Sequence, residues 1–480
     1  MLEPLPHNDI AQPHVLWCLL AVVLSGCSKP EVTQNLIGKT QSPQALTPTQ
    51  MLEDINYLVQ TIGETHPNPF AYISKTEFES ALFKTISACN EEMLIEDFYR
   101  HAAWLVGQYK NGHTKVLPPP CWNDYDGKIY PLYWKLDDDK VRLYAGTHLD
   151  KRYWGATVHT INGDSALEIL RYYSALKPRE ARTYNEDIGL NSRFVWRCMA
   201  LDYGDTAMEL ELVCRDGKAE TIVVDAVAID SLRSKPENQK TDTGQPSPVD
   251  YRYQEEFETG YLKIRFFHDN DLFRKQIKQA FADLRDKAAQ NIIIDIRGCP
   301  GGVTSSAKIL LDYLTDKEYH IWSEIRFRYS KLYQCQRGKH VFLVPTGSVR
   351  SLKPKAVKPT DNSSRFKGRV IVLINSRTCS TAVDFAGVVK YYKLGVLIGR
   401  ETGDTMGTYG DFLTFKLPNS RLNCMVSCKY YKTIGTTRET ATRGVMPDFP
   451  VISLLEDGWE RRDKALEFAY KLCKKDTDNP

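Results

Sequence analysis

The sequence predicts an α/β protein of several domains, and three observations carry that prediction. From Tyr261 onward short apolar runs alternate with amphipathic helical patterns, the rhythm of an α/β core. Residues 121–228 are instead rich in short strands, and residues 47–120 are patterned as helices. A length of 480 residues leaves room for about three domains at roughly 150 residues each.

The chain opens with an address. Val15 to Leu24 is an apolar run of ten residues, too short to cross a bilayer but the length of a signal-peptide core. It runs into Leu24-Ser25-Gly26-Cys27, which resembles a bacterial lipobox with Cys27 as the lipidated residue and mature N-terminus. Residues 1–14 depart from the usual pattern in having no Lys or Arg. Loss of residues 1–26 as a signal peptide would remove Glu3 and Asp9 and raise the net charge from +3 to +5. The expectation is a lipoprotein of the bacterial cell envelope, anchored through its lipid and facing the periplasm. Residues 27–46 read as a polar tether.

Thr47-Pro48-Thr49-Gln50 has the form of a capping box with Pro at the first helical position. Leu52, Ile55, Leu58, Val59 and Ile62 follow at helical spacing. Ser74-Lys75-Thr76-Glu77 opens a second helix with Phe78, Leu82 and Ile86 on one face, and a third runs from about Glu92 to Tyr109 with Leu94, Phe98, Ala102, Leu105 and Val106 inward. In 121–228 the strands include Val141–Tyr144, Ala156–Val158, Glu209–Val213 and Thr221–Val224, the last two joined by an Asp216-Gly217 turn. Residues 229–250 are polar and Pro-containing and read as a linker. The last unit, 251–472, carries strands at Tyr261–Phe267, Ile292–Ile296, Val370–Ile374 and Val396–Ile398, with helices near Asp271–Lys287, Thr304–Leu314 and Ser380–Tyr392.

Composition narrows the function classes. Apolar residues are 42% and charged residues 26%, which excludes a disordered or polytopic membrane chain. The near-neutral charge, without a basic stripe interleaved with aromatics, gives no reason to expect nucleic acid. Cys424 and Cys428 have no second Cys/His pair at zinc-site spacing, so neither a metal nor another cofactor is expected.

Three segments can carry chemistry. Asp295-Ile296-Arg297-Gly298-Cys299-Pro300-Gly301-Gly302 joins a buried strand to a helix, and its glycines let backbone N–H groups approach a ligand oxygen. It lacks the ending of a phosphate-binding P-loop and the spacing of a dinucleotide fingerprint. Asn375 to Asp384 also leaves a strand for a helix, putting Ser380 at a helix N-terminus that favours a developing anion. A serine there also serves as an ordinary N-cap, and Cys379 is a rival nucleophile. Lys110-Asn111-Gly112-His113-Thr114 supplies a histidine just after the third helix.

In this order these segments resemble the tail-specific, or C-terminal-processing, serine peptidases, whose relatives include the tricorn core protease. The DxRGxxGG turn matches Asp295–Gly302, the nucleophile segment Thr378–Ala382, and the Asp-Gly-His-Thr motif Asn111–Thr114. Leu397-Ile398-Gly399, Glu401-Thr402-Gly403, Tyr409-Gly410-Asp411, Leu417–Ser420 and Gly444–Asp448 continue the likeness, which spans most of 47–470. The segment around Ile161-Asn162-Gly163 is similar to the PDZ-like module of these peptidases. The resemblance implies a crotonase-like ββα spiral as catalytic core, a helical N-terminal domain carrying His113, and a PDZ-like β module at 121–228.

One branch of the family uses a Ser–Lys dyad with Lys about 25 residues after Ser; that position is Thr405 here. The tricorn-like branch uses the upstream His and a Glu some 58–59 residues after Ser, which is where Glu439 falls. The resemblance therefore implies a Ser380–His113–Glu439 triad, with the oxyanion held by Gly301 (or Gly302) and Thr381. Val383 stands where many members have Glu, and Cys299 where the turn commonly has Asn. The expected activity is endopeptidase cleavage of exported proteins or peptides, read by their C-termini. The rival readings are an inactive peptidase-like binding protein and a crotonase-type acyl-CoA enzyme.

Overall fold

The computed structural model describes residues 45–474 except 123–124, 138, 182–191, 205, 233–246, 339–343, 453–456, 458 and 461. The expected signal peptide, Cys27 and most of the tether lie outside the described residues. Helix α1 (Pro48–Thr65) begins with the expected capping box: the Thr47 hydroxyl accepts from Gln50 N, and the Gln50 side chain accepts from Thr47 N. Ser74 and Glu77 do the same for α2 (Lys75–Ala88), and α3 (Ile95–Gly107) follows. The buried stripe of α1 is rotated from the one its apolar spacing suggests. Met51 and Asp54 are buried and Leu52 is exposed. Asp54 is inside because its two oxygens accept the backbone N–H groups of Asn419 and Ser420, both at 2.8 Å. Leu94, expected inward, is likewise exposed, just ahead of the α3 N-terminus.

After a short strand β1 (Lys115–Val116), an antiparallel sheet forms from β2 (Leu132–Asp137), β3 (Lys140–Gly146), β4 (Thr157–Ile161), β5 (Met208–Val213) and β6 (Ala219–Val224), in the order β6-β5-β4-β3-β2. Its strands alternate buried and exposed residues, as a sheet with one face in the core requires. Helices α4 (Ala166–Ala175) and α5 (Ser192–Tyr203) belong to this segment.

The remaining chain builds two more sheets. β7 (Val249–Gln254), β8 (Thr259–Ile264), β9 (Asn291–Asp295), β12 (Arg369–Ile374), β13 (Val396–Gly399) and β16 (Phe449–Pro450) form one in the order β7-β8-β9-β12-β13-β16, parallel from β8 onward. Every residue of β9 is buried, as expected for a parallel strand covered on both faces. The covering helices are α6 (Asp271–Asp286), α7 (Thr304–Asp312), α9 (Thr381–Tyr391) and α10 (Lys464–Lys474). A shorter α8 spans Lys331–Arg337. The third sheet is antiparallel, with β10 (Trp322–Arg328), β11 (Val349–Leu352), β14 (Gly407–Lys416) and β15 (Asn423–Thr433) in the order β11-β10-β15-β14, and β1 pairing with β15.

One hydrophobic core runs without a break from α1–α3 through the 132–224 sheet to Leu413, Phe415, Cys424 and Val426 of β14 and β15. A second is centred on β8, β9, β12 and helices α6, α7 and α9. The three sheets and their helices make a mixed α/β protein, and the first core joins the helices that precede the histidine loop to β14 and β15.

Candidate active site

Strands β9 and β12 are parallel neighbours in a register that pairs Asp295 with Leu373, so they end at the same level. Both chemistry-bearing turns leave from there, at the carboxyl end of a parallel sheet where ligands of such folds bind. The turns are laced together: Cys379 N donates to Cys299 O at 2.9 Å, Gly298 N to Asn375 Oδ1 at 3.0 Å and Thr378 Oγ1 to Ile296 O at 3.0 Å.

Ser380 sits at the entrance to α9 with φ 52° and ψ −127°, a strained conformation for a residue with a Cβ. Its hydroxyl does not cap the helix. Facing it, Gly301 has φ 100°, and a Cβ there would lie 2.7 Å from Ser380 Cβ and 2.9 Å from Thr381 N. Only glycine lets the two backbones approach so closely. Gly302 packs equally tightly on Phe267, and Thr381 Oγ1 donates to Gly302 O at 2.7 Å. The N–H groups of Gly301, Gly302 and Thr381 donate to no group among the described residues. These three expected oxyanion residues and Ser380 are thus brought together.

His113 arrives from the helical side. Its loop is pinned to β15, where Ser427 N donates to Thr114 Oγ1 at 3.0 Å and Ser427 Oγ to Asn111 Oδ1 at 2.8 Å. The other end of Asn111 donates to Glu180 Oε2 at 2.6 Å, which an Asp in this position would be unable to do. His113 is half-buried, and its Nδ1 has no hydrogen-bond partner among the described residues. Burial lowers its pKa, Asp404 opposes that, and Lys115 adds to it.

Three ionisable residues that the sequence did not single out, Asp404, Lys115 and Glu180, lie around these turns. The turn 400–406 folds onto the nucleophile turn through Gly403 N to Thr378 O at 2.8 Å, and Asp404 Oδ2 then accepts Ser380 N at 2.7 Å. Asp404 is 5% exposed, and its charge bears on His113, Lys115 and Glu180. Lys115, on β1, has its pKa lowered by burial. Glu180 is fully buried and accepts from Asn111, Gly112 N, Tyr72 and Tyr409 N, tying the histidine loop to β14. Burial, reinforced by Asp404, pushes its carboxyl up to about 8. Its neighbour Arg179 donates to Ser376 O in the nucleophile turn. No spacing rule could reveal Asp404 and Glu180, because both act across long sequence separations; Lys115 lies two residues from His113 but shows nothing in the sequence to set it apart from a surface lysine.

Glu439 lies in the exposed turn 437–440, and no hydrogen bond or ion pair holds its carboxylate among the described residues. Thr405, at the position of the dyad lysine, is buried and donates to Gly407 O. Cys379 is no better as a nucleophile, since burial pushes its thiol well above the usual range. Asp295 and Arg297 turn out to be structural. Asp295 accepts from the Arg297 side chain and Tyr261, which hold it down at about 2 despite burial, and Arg297 reaches on to Asp463.

Residues 258–451, which include the nucleophile turn, match the model of Peptidase family S41. Among solved structures the chain is similar to mature CPAF at 14% identity and a TM-score of 0.59, covering 89% of this chain and 97% of that one. A complex of CPAF with lactacystin matches at 13% identity and a TM-score of 0.57, covering 89% and 98%. A photosystem II D1 C-terminal processing protease matches at 15% identity, covering 84% and 92%, with a TM-score of 0.41. No curated protein matches the chain. At these identities the CPAF likeness speaks for the fold.

Proposed function

We propose that this chain is a serine endopeptidase in which Ser380 attacks the peptide carbonyl and His113 takes its proton. The observation that carries the reading is Ser380 itself, a strained residue whose hydroxyl is not used as a cap, held against the Gly301–Gly302 turn. The hydroxyl proton passes to the His113 ring as the oxygen bonds to the carbonyl carbon. The oxyanion is met by the free N–H groups of Thr381 and Gly301 or Gly302. Breakdown of the tetrahedral adduct breaks the C–N bond and returns the proton to the leaving amine, and water releases the acyl group by the same route in reverse. The lowered pKa of His113 suits a base that is neutral near pH 7.

The crotonase-like spiral is the reading for the core and the PDZ-like module for 121–228, with the module binding a substrate's C-terminal tail as an added strand. Substrates are exported proteins or peptides. Cys27, in its lipobox-like setting, anchors the chain to a membrane of the cell envelope, facing the periplasm. Cys27→Ser tests this: it should remove the protein from the membrane fraction, and a wild type that is soluble without detergent rules the anchor out.

The deciding experiment is labelling with a fluorophosphonate, with peptide cleavage measured alongside. Labelling and cleavage should both occur in the wild type and both vanish in Ser380→Ala. A folded wild type that does neither would be a binding protein on a peptidase scaffold.

A further inference from the structure

We infer that Glu180 is the positioning residue of the histidine loop, its two side-chain oxygens setting where His113 stands relative to the Ser380 turn. This inference rests on the serine-peptidase reading and adds to it a residue that acts through the loop rather than on the substrate.

Helices α3 and α4 end against each other. A Cβ on Gly107, the last residue of α3, would lie 2.0 Å from the carbonyl oxygen of Ala175, the last residue of α4, so the contact leaves no room for a side chain. The loops 108–114 and 176–181 therefore start side by side. They are joined where both backbones take up the left-handed region: Lys110 has φ 52°, Ala181 has φ 57°, and Ala181 N donates to Lys110 O at 2.8 Å. Strain of this kind persists only where the surroundings over-determine it.

Glu180 supplies that surrounding. It is fully buried, and each of its oxygens serves a different wall. Oε2 takes the histidine loop, accepting from Asn111 Nδ2 at 2.6 Å and from Gly112 N at 3.3 Å. Oε1 takes the opposite side, accepting from Tyr72 OH at 3.0 Å and from Tyr409 N of β14 at 3.2 Å. Only a carboxyl group offers two oxygens that can each receive two donors. From its other face the loop is held by Ser427 of β15, through Asn111 Oδ1 and Thr114 Oγ1. Lys110, Asn111, Gly112 and Thr114 are thus each bonded to a distant part of the chain, and His113 is carried between them. Arg179, one residue before Glu180, reaches Ser376 O in the nucleophile turn. The three consecutive residues 179–181 therefore hold both halves of the catalytic pair.

A base delivers its effect only when its ring is within hydrogen-bond reach of the proton it takes, and a misplacement of about 1 Å can cost ~10²-fold in rate. Loss of the Glu180 bonds frees the loop on the side that faces β14, with the residues of the nucleophile turn left in place.

The test uses the full chain, with kcat and KM measured for a peptide and rates referred to the folded fraction. Glu180→Ala should lower kcat by ~10²-fold while KM changes by less than about threefold, because the base is displaced and the substrate's binding surface is not. Glu180→Gln should stay within about tenfold of wild type. Its oxygen keeps Tyr72 and Tyr409 N, and its NH₂ turns to Asn111, whose amide can rotate to accept it while Ser427 Oγ accepts from the other end. Asn111→Ala should repeat the loss seen in Glu180→Ala, and the double variant should be hardly worse than either, since both break one link. Wild-type kcat in folded Glu180→Ala, a loss confined to KM, losses that multiply in the double variant, or a Gln variant no better than Ala would each overturn the inference. If Glu180→Ala does not fold, Asn111→Ala decides, because it leaves the bonds from Gly112, Tyr72 and Tyr409 to Glu180 intact, and an unchanged kcat there overturns the inference. A wild type that shows no Ser380-dependent turnover overturns the peptidase reading instead, a separate outcome.

Discussion

The carboxylate of Asp404 accepts the backbone N–H of Ser380 at 2.7 Å, so the residue that bears on His113 also fixes the nucleophile's own peptide unit. A hydrogen bond from the residue before the helix gives the strained Ser380 conformation a partner it would lack in an ordinary helix start.

Ser380→Ala and His113→Ala should each abolish peptide turnover by similarly large factors, and the double variant should be hardly worse than either, because members of one unit do not add. Cys379→Ala should cost less than about tenfold, since its buried thiol supplies no thiolate. If His113→Ala keeps full activity, the base must be sought elsewhere, and Lys115, which shares the Asp404 charge and is driven toward neutrality by burial, is the residue to change next.

The pH profile follows from the direction of the His113 shift. Burial lowers its pKa below the ordinary ~6.5, so the ring stays neutral and basic on going down through that value. The acid limb of kcat/KM should have its midpoint below 6.5, with activity flat across pH 7. A midpoint above 6.5 would mean that the carboxylate outweighs burial.

Gly301→Ala combines two insults at one position. The backbone there has φ 100°, and the new methyl would press on Ser380 Cβ and Thr381 N. The Gly301–Gly302 turn would have to withdraw from the nucleophile, and loss of one oxyanion donor typically costs ~10²–10³-fold in kcat. The expected outcome is that loss with KM changed by less than about threefold, measured on protein whose thermal melt is still cooperative.

His66 gives the fold a separate pH dependence. It is buried, its Nδ1 accepts Asn68 N at 3.1 Å, and its ring packs on Tyr409 with centroids 4.5 Å apart. Burial first, and Arg328 second, bring its pKa down to about 3. The unfolded chain protonates this histidine near 6.5 and the folded one does not, so the unfolded state binds more protons between those values. Stability is therefore complete above about 6.5 and falls as the pH drops, by up to ~1.4 kcal/mol per pH unit through this residue. Denaturant titrations at pH 7, 6 and 5 should show wild type losing stability relative to His66→Gln, and parallel losses in both would reject the assignment.

The sequence by itself determined the local parts. Capping boxes at Thr47 and Ser74 and the 3.6-residue apolar spacing located the helices, and short apolar runs located β9, β12 and β13, because these depend on neighbours along the chain. Motif order along the chain pointed to Ser380, His113 and the Gly301–Gly302 turn. What only the tertiary structure decided was that Asp404 accepts the Ser380 N–H and that Glu180 ties down the histidine loop. The loops bearing Asp404 and Glu180 are brought in by sheet register, by a core shared between the helices and β14–β15, and by hydrogen bonds across separations such as Asn111 to Ser427. The same applies to Asp54, whose place in the α1 stripe is set by Asn419 and Ser420 at the far end of the chain. A buried charge is tolerated only where the fold supplies its donors, and those donors come from segments that no periodicity links.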